Sequence, residues 1–71
     1  MLSPGHQLRG TVESVVLGVE LAHVVVRISE NDFIETFIPR HDAVGLGLQC
    51  GKVVTTTMKD SQVTISADQP D

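Results

Sequence analysis

Four groups of side chains in this 71-residue chain have types and spacings that bear on chemistry. Cys50 lies between Gln49 and Gly51. A thiol becomes a useful nucleophile only with a base and an orienting group beside it, and its sequence neighbours supply neither. It reads as a turn cysteine, and no catalytic residue is expected. The histidines His6, His23 and His41 recur at intervals that match no metal-ligand pattern. His41 adjoins Asp42, however, and a cation held by His6, His41 and Asp42 stands as one alternative reading. His23 lies in an apolar run, where packing or an interface is the expected role. Gly45-Leu46-Gly47-Leu48 looks like a glycine-rich phosphate loop but lacks the Lys-Ser/Thr ending that such a loop needs. Its leucines are expected to fill the interior and its glycines to permit the bend. The fourth group is Ser3, Lys59, Ser61 and the run Thr55-Thr56-Thr57. Hydroxyls, a cation and turn amides converging on one point can hold a tetrahedral oxyanion.

These groups must be positioned by strands. Alternation of period two runs through most of the chain and predicts a first strand over residues 6–16, with Leu8, Gly10 and Val12 opposite Arg9, Thr11 and Glu13. Gly18 marks a turn. Residues 20–29 form a second strand with two largely apolar faces, which predicts cover on both sides. Ser29-Glu30-Asn31-Asp32 is a polar turn, and residues 33–38 form a third strand that Pro39 ends, because proline cannot donate to a central ladder. Residues 40–46 have room for one or two helical turns. A fourth strand follows over 52–58, a tight turn at Lys59-Asp60-Ser61, and a fifth strand over 62–67. The expectation is an all-β fold: a small five-stranded barrel of the oligonucleotide/oligosaccharide-binding type with one short helical turn. The chain reads as a single domain, residues 1–71, with its core over about 2–67 and a disordered tail at 68–71.

Composition narrows the function. The net charge is −4 with five Lys and Arg, which disfavours a nucleic-acid surface. No basic amphipathic helix or membrane-length apolar run is present, and the N-terminal Met-Leu-Ser-Pro-Gly-His has no signal-peptide character. With a lone thiol, this predicts a cytoplasmic protein. Hydrophobic residues make up 41%, yet there is no Trp or Tyr and only Phe33 and Phe37. So small an aliphatic core, with no disulfide or structural zinc to staple it, predicts association between copies.

The order of motifs points further. The stretches LSPGHQLRGTVESVVLGVELAHVVVRI, IPRHDAVGLGLQCGKVV and MKDSQVTI resemble the Mop or TOBE family of molybdate-binding modules, which includes molbindins and the C-terminal domains of molybdate regulators and transporter ATPases. Gln7, Leu8, Gly10, Val12, Ala22, Val24, Val26, Ile38, Leu46, Gly47, Leu48, Gly51, Lys59 and Val63 fall in register with the family pattern. The resemblance implies a barrel whose strands are shared between subunits, assembly as a homo-oligomer such as a hexamer, and molybdate or tungstate bound between subunits for storage, buffering or homeostasis, without catalysis. It also implies oxyanion ligands at Ser3 and Lys59. The family's S-A-R-N reads Ser3-Pro4-Gly5-His6 here, so Gly5 replaces the arginine and His6 the asparagine, while Asp42 replaces a second serine. Ser61 and a protonated His6 are the candidates to make good the lost donors, which gives Ser3, His6, Lys59 and Ser61 as the expected oxyanion site. The competing expectation is an interaction module that has lost its ligand.

Overall fold

The computed structural model describes residues 6–67. Ser3, Gly5 and the expected disordered tail at 68–71 lie outside them. The chain runs β1 (His6–Leu17), β2 (Leu21–Ser29), β3 (Asp32–Pro39), α1 (Arg40–Gly45), β4 (Val53–Lys59) and β5 (Gln62–Ala67). All five strands join one antiparallel sheet in the order β3-β2-β1-β4-β5. The sheet curls into a half-barrel, as the alternation predicts.

β1 makes the curl possible. Its first half pairs with β4, from His6 opposite Met58 to Thr11 opposite Val53. Its second half pairs with β2, from Thr11 opposite Arg27 to Leu17 opposite Ala22. A bulge interrupts that second ladder between Val12 and Ser14. One extra residue reverses the side-chain phase, so Val12 and Val15 both turn inward instead of Val12 and Ser14. Simple alternation misses this. Gly10 marks the crossing point. A Cβ there would lie 2.7 Å from the Arg27 carbonyl oxygen and 2.6 Å from Val26 Cγ1, so only glycine lets β1 and β2 approach this closely.

The interior is small and branched: Val12, Ala22, Val24, Val26, Ile38, Ala43 and Val54 are buried, with Val15, Ile28, Leu48 and Ile65 packed against them. Thr56 is fully buried among them and donates its hydroxyl proton to the Leu8 carbonyl at 3.0 Å, which removes the penalty of burying that hydroxyl unpaired. In β2 only the face of Ala22, Val24 and Val26 is covered; Leu21 is exposed and His23 and Val25 are half-buried. The expected cover on both sides is therefore absent within one chain, because all of the curled sheet's packing lies on its concave side.

α1 starts directly after Pro39, without a side-chain cap. Its end explains the Gly-Leu-Gly-Leu run. The Gly47 N–H donates to the Val44 carbonyl at 3.0 Å and the Leu48 N–H to the Ala43 carbonyl at 3.1 Å, with Gly47 at φ +65°. This is a Schellman cap, and Leu48 against Ala43 is its usual apolar contact. Gly45 is still helical, so Gly47 alone supplies the bend. Among the described residues, no helix is long and apolar enough to cross a membrane.

Candidate functional site

Of the expected site residues, two lie in the β4–β5 hairpin. Lys59 opposite Gln62 closes the ladder, and Asp60 and Ser61 form the two-residue loop at φ 51° and 66°. Positive φ at both central positions is the type I′ turn, whose twist matches that of the flanking strands. Asp and Ser occupy it without glycine, and Lys59, Asp60 and Ser61 are all exposed. His6, the first residue of β1, pairs with Met58, one position before Lys59. The fold thus brings His6 to the same end of the sheet as Lys59 and Ser61, which lie more than 50 residues further along the chain. Ser3 lies outside the described residues.

The sheet is open between its edge strands β3 and β5. A groove of about 420 Å³ runs there, lined by Phe37, Ile38, Pro39, Asp42, Leu46, Val63, Thr64 and Ile65. Among the described residues, Asp42 is the only ionisable one in that lining. Asp42, which stands where the family pattern has a second serine, thus lines the same groove as Val63, Thr64 and Ile65 of β5. Lys52, which the sequence does not single out, steadies this arrangement. Its ammonium donates to the Leu46 carbonyl and ties the end of α1 to the approach to β4. A lysine before a strand carries no signal of such a role, since the contact exists only once the loop has folded back.

The other candidates separate. His41 Nε2 lies 3.2 Å from Asp42 Oδ1, but the His41 side chain is 86% exposed. His6, His41 and Asp42 do not gather into a cation site: among the described residues no three His, Cys, Asp or Glu side chains are placed to hold a metal ion. That alternative is corrected, because His6 begins β1 while His41 projects from α1 into solvent. His23 is on the convex face, with Nε2 3.4 Å from Glu35 Oε2 and its ring 4.9 Å from that of Phe37. Cys50 is a free, exposed thiol in the turn before β4. A second hollow, about 640 Å³, is lined by Arg9, Thr11, Arg27, Ser29 and Glu30 among others. It holds two of the five cations, yet Arg27 Nη2 already sits 3.3 Å from Glu13 Oε2.

The TOBE domain pattern matches residues 2–65, nearly the full chain. The chain belongs to the TOBE domain family. The structure is similar to that of MopII from Clostridium pasteurianum (apo2), with a TM-score of 0.75 and 31% sequence identity over 94% of this chain and 100% of that one. No curated protein matches the sequence. The family consists of binding modules, and the half-barrel with its single short helix is the OB-like Mop fold.

Proposed function

We propose that this TOBE domain binds a tetrahedral oxyanion, molybdate or tungstate, without transforming it, and does so as a homo-oligomer such as a hexamer that stores or buffers the anion in the cytoplasm. The observation that carries this reading is the family match over residues 2–65, combined with the meeting of Lys59, Ser61 and His6 at one end of the sheet. In the proposed site Lys59 supplies the fixed positive charge, Ser3 and Ser61 donate hydroxyl protons, and His6 adds a second charge when protonated. All four act at hydrogen-bond range, so a net charge of −4 does not prevent anion binding. It does disfavour nucleic acid and an anionic membrane surface as partners.

Calorimetric titration with molybdate and with tungstate tests the site. Replacing Lys59 with Ala removes a charge-assisted hydrogen bond worth roughly 1.5–3 kcal/mol, so affinity should fall by about tenfold or more. Unchanged affinity would move the site away from the hairpin. Native mass spectrometry with and without molybdate reads bound anions and assembly state together.

A second reading, an interaction module without a ligand, is favoured by one feature: Gly5 stands in place of an arginine, while an acidic residue, Asp42, lines the groove beside β5 where the family pattern has a serine. Absence of binding by the wild-type chain would select it.

A further inference from the structure

β1 changes neighbours at Thr11, and the change opens a wedge between strands. Up to Thr11 the strand pairs with β4, and only from Thr11 onward does its ladder with β2 run. β2 nevertheless continues beyond Arg27, the partner of Thr11, along a ladder with β3 that ends at Ser29 opposite Asp32. Where the strands part lies the hollow of about 640 Å³, within the roughly 300–1,000 Å³ of small-molecule sites. A tetrahedral oxyanion would leave most of it empty. Arg9 and Thr11, two apart on one strand, share a face of the sheet, and Arg27 stands opposite Thr11. The two arginines are thus diagonal neighbours across the strands, a relation in which long side chains reach the same point. Like charges so placed repel one another, and an anion between them relieves the repulsion.

We infer that this hollow binds an acidic amino acid, its two carboxylates on Arg9 and Arg27 and its ammonium on Glu30. Among the described residues, the ionisable groups of the lining are two arginines and one glutamate, and such a ligand presents the opposite charge to each. A guanidinium offers five N–H donors in a planar fork that matches a carboxylate. The fork can hold one partner and still receive another, so the contact of Arg27 Nη2 with Glu13 Oε2 at 3.3 Å leaves donors for the ligand. That pair is about half exposed, 48% on Arg27 and 42% on Glu13, and water screens it. Thr11 adds a hydroxyl beside the arginines. Ser29 donates its own proton to Asp32 Oδ2 at 2.6 Å, so its oxygen is left as an acceptor and, with Glu30, suits an ammonium. Ile28 and Val53 supply apolar lining for the methylenes. A simple inorganic anion would use the arginines but meet like charge at Glu30. β4 runs from Val53 in this lining to Lys59, six residue steps or roughly 20 Å. The hollow and the Lys59–Ser61 hairpin are therefore separate sites, and either can bind without the other.

Calorimetric titration with L-glutamate tests this on wild type, Arg9→Gln, Arg27→Gln and Glu30→Gln. Circular dichroism establishes that each variant is folded, and Arg27→Gln serves if Arg9→Gln is not. Wild type should bind L-glutamate saturably, with a Kd at or below about 1 mM. In an NMR titration the amide signals of Gly10, Thr11 and Ile28 should shift with the same Kd. Each arginine variant should bind about tenfold or more weakly, because a charge-assisted fork is lost. Glutarate has both carboxylates but no ammonium; it should bind wild type severalfold more weakly than L-glutamate, and Glu30→Gln should erase that difference. Molybdate should not displace L-glutamate, and Arg27→Gln should leave the molybdate titration as it is in wild type. A folded wild type without saturable binding of L-glutamate, or arginine variants that bind it as well as wild type, would overturn the site whatever molybdate does. Glutarate binding as tightly as L-glutamate would overturn the amino-acid assignment. Displacement of L-glutamate by molybdate would overturn the separation of the two sites.

Discussion

Gly10→Ala puts one methyl group at the point where β1 leaves β4 and takes up β2. The new Cβ would meet the Arg27 carbonyl oxygen at 2.7 Å, Val26 Cγ1 at 2.6 Å and Ile28 Cδ1 at 2.9 Å. Comfortable carbon contacts begin near 3.5 Å, so the strands must part by somewhat under 1 Å. Ile28 can swing its terminal methyl away. Val26 cannot, because it is fully buried and β-branched, and the Arg27 oxygen belongs to the sheet backbone. Overpacking of this kind costs roughly 1–3 kcal/mol, more than the 0.5–1 kcal/mol that alanine gains over glycine in a strand. A net loss of about 1–2 kcal/mol is a sizeable part of the roughly 4–10 kcal/mol expected for a chain of this length. The melting temperature should fall by about 4–8 °C for each kcal/mol lost. Thermal melts followed by circular dichroism, at one protein concentration because assembly shifts the midpoint, read this directly. Gly45→Ala is the matched control, since nothing lies within 4 Å of its Cβ position and alanine favours the helix; it should melt no lower than wild type. A Gly10→Ala protein that melts within about 2 °C of wild type would refute the close-approach argument.

The other expectations concern single contacts. Asp42→Ser removes the carboxylate of a residue that lines the groove beside β5 and restores the hydroxyl of the family pattern; molybdate affinity by calorimetry should rise severalfold, and a fall would show that Asp42 assists binding. Thr56→Val keeps the buried volume but removes the donor to the Leu8 carbonyl, so urea unfolding should show a loss of about 1 kcal/mol with an unchanged slope.

Strand number, order along the chain and most of the boundaries are legible in the residues. Alternation of valine with polar residues can be satisfied in one way only, and Gly18, Pro39, Gly51 and the Lys59-Asp60-Ser61 turn punctuate it. Observed strand ends differ from the expected ones by one residue, as in β1 reaching Leu17 and β4 starting at Val53. The candidate site was legible in part. Lys59 and Ser61 are two residues apart in sequence, but their placement beside His6 depends on a ladder between residues some 50 positions apart.

Local chemistry therefore determined the elements and the residue types available for binding. Tertiary structure decided what those residues face. The bulge after Val12 turned Val15 inward, because a two-residue period has no memory across one inserted residue. Curling of the sheet covered one side of β2 and left the other open, since two equally apolar faces cannot both find cover in a core this small. Burial of Ala43 in the core places Asp42 in the lining of the groove and leaves His41 in solvent. A helix turns about 100° per residue, so His41 and Asp42 differ in exposure, 86% against 53%, although their side chains meet at 3.2 Å. Which of them meets β5 depends on how α1 is anchored, and that anchor is a long-range packing contact.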